Sequence, residues 1–162
     1  MHLQEPEAIE KAGWNFSVQS APETILFVED ESLVRDVIGE VLRTAGYAVL
    51  TARNATEALL AYGEHPSEID LLLTDVILPG ETGRILAKRL RLQDQQLKVL
   101  FVTGYAEQMH ILEAERTECL AKPFSSEILL LTVRELLDRH PARREETRRG
   151  EPKRVKRAAG SA

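Results

Sequence analysis

Cysteine is almost absent: Cys119 is the only one in 162 residues, which excludes a disulfide framework and a thiolate metal site within the chain. Histidine is scarce too, and His2, His65, His110 and His140 lack any metal-ligand spacing. No apolar run approaches the roughly 20 residues that a membrane-spanning helix needs. The start, Met1-His2-Leu3-Gln4-Glu5-Pro6-Glu7, lacks the basic-then-apolar order of a secretion signal. Both absences point to the cytoplasm and away from a membrane. Neither Gly-x-Gly-x-x-Gly nor Gly-x-x-x-x-Gly-Lys follows any apolar run, which disfavours a nucleotide-binding protein.

What is present is the composition of a soluble globular protein, 43% apolar and 29% charged. The length suits one domain with some chain to spare. The net charge of −5 hides an asymmetry: from Pro141 onward eight Lys/Arg face three Glu, so a tail of +5 follows a body of −10. Three glutamates interrupt the tail and no aromatic interleaves it, so residues 140–162 read as solvated, disordered chain rather than a nucleic-acid contact. Residues 1–22 form an N-terminal arm without a sustained period. In it, Trp14 and Phe16 are expected either to pack on the domain or to meet a partner or a second copy.

Between arm and tail, from 23 to 139, apolar runs alternate with helical stripes. Thr24 to Val28 reads as a first strand, apolar from Ile25 onward and ended by Glu29-Asp30-Glu31. Leu33, Val34, Val37, Ile38, Val41, Leu42 and Ala45 make the inward stripe of a helix that Gly46 terminates. Tyr47 to Ala52 is a second strand, and Asn54 caps a second helix that runs to about Glu64. Leu71 to Asp75 is the third strand, with three leucines in succession as in a strand buried on both faces. Pro79-Gly80 then turns the chain into a helix from Thr82 to about Gln93, with Ile85, Leu86 and Leu90 inward and Arg84, Lys88, Arg89 and Arg91 outward. That outer row reads as a solvated face, the alternative being an acidic partner.

Lys98 to Thr103 is a fourth strand, followed by a short helix with Met109, Ile111 and Leu112, and Glu118 to Ala121 is a fifth. Ser125 caps a last helix with Ile128, Leu129, Leu131, Leu136 and Leu137 as its apolar surface. Five repeats of strand and helix predict an α/β fold: a five-stranded parallel sheet, helices on both faces, joined by right-handed crossovers.

Strand ends of one polarity share one edge of a parallel sheet. With strand order 2-1-3-4-5, Glu29, Asp30, Asp75, Thr103 and Lys122 converge there. Two carboxylates about 4 Å apart repel by roughly 4 kcal/mol at an effective dielectric near 20. One lysine offsets only part of that charge. A divalent cation offsets the rest, and oxygen-only ligation favours Mg²⁺ over zinc. Asp75 is then a nucleophile toward phosphorus, with metal, Lys122 and the Thr103 hydroxyl each taking one phosphoryl oxygen.

The chain resembles a response-regulator receiver domain of two-component signalling. The resemblance rests on Ile25-Leu26-Phe27-Val28-Glu29-Asp30-Glu31, on Thr74-Asp75 with Pro79 and Gly83, on Val102-Thr103-Gly104-Tyr105, and on Leu120-Ala121-Lys122-Pro123-Phe124, over residues 24 to 138. It implies a flavodoxin-like receiver fold and phosphorylation of Asp75 by a histidine kinase or phosphotransfer protein. It also implies Mg²⁺ on Asp30, Asp75 and the Ile77 carbonyl, with Glu29 reached through water, and a cis bond at Lys122-Pro123. With no output domain expected after Leu137, the signal leaves a stand-alone receiver by partner binding, a homodimer being one form.

Two departures concern output. Cys119 stands three residues before Lys122, where such receivers usually carry an aromatic; it reads as a small core residue, with Tyr105 placed to take over gating. The segment from Thr103 to Lys122 is also short, so the fourth helix is expected to be truncated. Two rival readings remain beside the receiver. One is a phosphorylation-independent scaffold. The other is a haloacid-dehalogenase-type phosphatase, disfavoured because Ile77 stands where that class has a second aspartate.

Overall fold

The computed structural model describes residues 21–139 except 106, 108 and 111–113. The proposed tail and nearly all of the arm, including Trp14 and Phe16, lie outside the described residues. Five strands, β1 (Thr24–Val28), β2 (Ala48–Ala52), β3 (Leu71–Asp75), β4 (Lys98–Thr103) and β5 (Thr117–Ala121), pair in parallel in the order β2-β1-β3-β4-β5. Burial follows position in the sheet. Every residue of β4 and all but one in each of β1 and β3 are buried, whereas the edge strands β2 and β5 are mostly half-exposed. The leucine run of β3 thus has the location that its lack of alternation predicts.

Helices α1 (Ser32–Thr44), α2 (Ala55–Glu64), α3 (Gly83–Gln93) and α4 (Ser126–Arg139) cover both faces. Alternate strand residues feed two cores. Leu26, Val28, Leu72, Val99 and Phe101 pack with Ala58 and Tyr62 of α2 and with Leu86 and Leu90 of α3. Ile25, Phe27, Leu71, Leu73, Leu100 and Val102 pack with Leu42 of α1 and with Leu129, Val133, Leu136 and Leu137 of α4.

Local chemistry sets the helix ends. The Asn54 side chain accepts from the Glu57 N–H at 2.9 Å, Thr82 from Ile85 at 3.3 Å, and Ser125 from Ile128 at 3.2 Å. Gly46 adopts φ +99°, which a side chain would disfavour, and stops α1.

Several inward assignments are corrected. In α1 only Gly39 and Leu42 are buried, and Leu33 and Val37 are 74% and 64% exposed. The apolar stripe is wider than the contact that α1 makes, because α4 meets only one side of it. Ile85, expected inward, is about half exposed, and Ala87 is buried in α3 instead; of the apolar residues named on the last helix, Ile128 and Leu131 are likewise about half exposed, while Val133 is buried. Arg91 is not part of a solvated row: its guanidinium donates to the carbonyls of Leu97 and Arg116 at 3.1 and 2.9 Å, tying α3 to the lead into β5. Between β4 and β5 the described residues hold no α-helix; Glu107, Met109 and His110 form tighter 3₁₀ turns, and the expected Ile111 and Leu112 lie outside the described residues.

Candidate phosphoacceptor site

Register brings the polar strand ends into one row. Val28 pairs with Thr74, Asp75 with Val102, and Thr103 with Ala121. Glu29 therefore leaves β1 level with Asp75, and Lys122 leaves β5 just past Thr103. The Lys122 ammonium donates to Asp75 Oδ2 at 2.6 Å and stands 3.7 Å from Glu29 Oε2. Asp75 Oδ1 accepts from the Ile77 N–H at 3.1 Å, and Glu29 Oε1 from the Glu31 N–H at 3.1 Å. Thr103 is buried, and its hydroxyl oxygen accepts from the Tyr105 N–H at 3.0 Å. The Lys122 N–H donates to the Thr103 carbonyl at 2.8 Å, which fixes one strand end against the other. The Lys122–Pro123 bond is cis, as the resemblance implied.

Burial raises the Glu29 carboxyl above its ordinary value of 4.5; the Glu31 N–H and the Lys122 charge oppose this, while the Asp75 charge and a hydrogen bond with Asp30 add to it. Burial alone would lower Lys122, but the hydrogen bond and charge of Asp75 and the Glu29 charge outweigh it and raise the ammonium. A single cation thus serves two carboxylates, with Asp30 beside them. The leftover negative charge and the all-oxygen donor set fit a hard divalent cation. Among the described residues no group of three Asp, Glu, His or Cys side chains is arranged to hold a metal alone.

Three supporting contacts went unread in the sequence. Arg35 donates to the Glu29 carbonyl at 2.8 Å and to the Asp30 carbonyl at 3.3 Å, which braces the acidic turn. A cation in the first turn of a helix opposes the macrodipole, and that misplacement was the available signal. The Thr74 hydroxyl donates to the Asp75 carbonyl at 2.9 Å. Gly83 lies so close to that carbonyl and to Thr74 Oγ1 that an added Cβ would collide with both, and its N–H donates to the Val76 carbonyl at 2.9 Å. Its use as a close-approach residue is legible only in three dimensions.

Cys119 is half-buried against the core shared with α2 and α3, and burial pushes its thiol up, as suits a packing residue. Tyr105 is 59% exposed.

The family model for the response regulator receiver domain matches residues 25–134. The sensor kinase CckA of Brucella abortus is 37% identical over 123 residues, which are 74% of this chain and 13% of that protein. Sporulation initiation phosphotransferase F of Bacillus subtilis is 33% identical over 119 residues, 71% of this chain and 94% of that one. Among solved structures, the response regulator TrrA of Thermotoga maritima, in complex with Mg(2+)-BeF, superposes with a TM-score of 0.64 at 30% identity, covering 71% of this chain and 99% of that one. The chain belongs to the response regulator receiver domains, the phosphoacceptor domains of two-component systems. Members of the family are phosphorylated on aspartate, typically bind Mg²⁺ and interact with histidine kinases or phosphotransfer proteins. Among the described residues no helix is long and apolar enough to cross a membrane.

Proposed function

We propose that Asp75 accepts a phosphoryl group from the phosphohistidine of a histidine kinase or phosphotransfer protein, in a Mg²⁺-dependent reaction in the cytoplasm, and that the receiver acts as a stand-alone unit that signals by binding a partner. The observation that carries this is the Asp75 carboxylate at the tip of β3, held by Lys122 through Oδ2 and by a backbone N–H through Oδ1. The Bacillus subtilis relative is itself receiver-sized, this chain covering 94% of it, whereas the chain covers only 13% of the sensor kinase.

In this reading a carboxylate oxygen of Asp75 forms the new P–O bond as the P–N bond to the donor imidazole breaks, and the electron pair stays on the imidazole nitrogen. Asp30, Asp75 and the Ile77 carbonyl would hold Mg²⁺ directly, and Glu29 through water. The metal would neutralise charge on the phosphoryl group. Lys122 moves from a carboxylate oxygen toward a phosphoryl oxygen, and the Thr103 hydroxyl serves a second. The same groups align a water for hydrolysis, so the domain promotes both its own phosphorylation and its dephosphorylation. Ile77, two residues after Asp75, supplies no acid or base, which argues against a phosphatase.

Incubation with acetyl phosphate and Mg²⁺ should add one hydroxylamine-labile phosphate by intact mass, absent in Asp75→Asn. An adduct that persists in the variant would overturn the assignment to Asp75, and none in the folded wild type would overturn the proposal and favour a receiver-shaped scaffold.

A further inference from the structure

Away from the phosphoacceptor edge, α1 and α4 leave an apolar groove of about 630 Å³, walled by Val37, Val41, Thr44 and Ala45 on one side and Leu130 on the other, with Asp36 and Glu40 on its rim. Val37 is 64% exposed there although it belongs to the helix's apolar stripe. We propose that this groove is the seat of the chain's own N-terminal arm, with Trp14, Phe16 and Val18 filling it.

The exit point of the arm selects it. Glu23, where the arm joins the domain, is tied to the helix that forms one wall: its carboxylate takes two 2.8 Å hydrogen bonds from Arg134, one helical turn beyond Leu130, and its carbonyl accepts from Ala48 at 3.0 Å. Arg134 also reaches the Tyr47 hydroxyl at 3.5 Å, just past the end of α1. The nine residues from Trp14 to Pro22 span about 30 Å when extended, and the groove from Val37 to Thr44 runs about 10 Å along α1. In Trp14-Asn15-Phe16-Ser17-Val18-Gln19 apolar and polar residues alternate, so an extended segment presents three apolar side chains on one side. Lys11, three residues before Trp14, is the arm's one Lys or Arg and matches the acidic rim.

The basic tail fits less well. It departs from Arg139, whose guanidinium pairs with Glu118 of the edge strand β5 at 2.7 Å, away from α1, and beyond alanines it offers only Val155 to an apolar wall.

Trp14 is the only tryptophan, so its emission reports this contact directly in the full chain, without phosphorylation. The expected result is blue-shifted emission, several-fold protected from acrylamide relative to a peptide of residues 1–22, and unchanged on dilution through the monomer range. Val37→Asp and Ala45→Glu, both at exposed positions, should each shift the emission to the red and remove the protection while leaving the melting transition cooperative. Three results would overturn the proposal: a solvent-exposed Trp14 in the wild type, protection indifferent to both substitutions, or protection lost on dilution, which would mean that a second copy fills the groove.

Discussion

The Lys122 ammonium sits 2.6 Å from Asp75 Oδ2, although 47 residues separate the two in the chain. The contact exists because β5 pairs with β4 and β4 with β3, so that both residues emerge at one edge. The same ammonium lies 3.7 Å from the buried Glu29, so one side chain orients the Asp75 carboxylate and offsets its neighbour. A charge-assisted hydrogen bond of this kind contributes about 1.5–3 kcal/mol. Lys122→Ala should slow phosphorylation by acetyl phosphate at least about tenfold, equivalent to about 1.4 kcal/mol of barrier, while Mg²⁺ still binds. A rate within twofold of wild type would deny Lys122 a part in the transfer.

The surplus of carboxylates predicts a metal response. Mg²⁺ should raise the melting temperature by mass action, and Asp30→Ala should suppress most of that rise. A shift of equal size in the variant would place the cation elsewhere.

Glu29 makes stability depend on pH with a definite sign. Its folded-state value is raised above 4.5, mainly by burial, so between the unfolded and folded values the native state binds the extra proton. Stability from this group is therefore greatest at low pH and falls as pH rises through that window. Glu29→Gln should raise the melting temperature near neutral pH in the absence of divalent cations and flatten this part of the profile. Thermal melts across the acid range check it; a variant less stable at neutral pH would show that the Lys122 attraction outweighs burial.

Gly83 should tolerate no side chain. Its missing Cβ is the space occupied by the Asp75 carbonyl and the Thr74 hydroxyl. Gly83→Ala forces backbone to move and should cost about 1–3 kcal/mol, read by denaturant melts, with slower phosphorylation because the end of β3 is displaced. Unchanged stability would mean that the loop after Asp75 adjusts freely.

The strands and helices were legible because each carries one simple signal. Leu71-Leu72-Leu73 lacks alternation and is central, and Asn54, Thr82 and Ser125 cap the helices that follow them. Glu29, Asp75, Thr103 and Lys122 were legible for a related reason: each interrupts or ends an apolar run, and a parallel sheet carries all such interruptions to one edge.

Burial on the helices was less legible. Periodicity marks the apolar side of α1 but not how much of it a neighbour covers, and Val37 and Leu33 remain exposed because α4 lies to one side. Sequence by itself determined the succession of the five strands, the two-sided sheet and the residue types at its edge, since those depend on local pattern and chain polarity. Only the tertiary structure decided that Arg35 braces the acidic turn, that Arg91 ties α3 to the lead into β5, that Gly83 must lack a side chain and that α1 and α4 form an apolar groove between them. Each of these depends on distances between segments that no local pattern encodes.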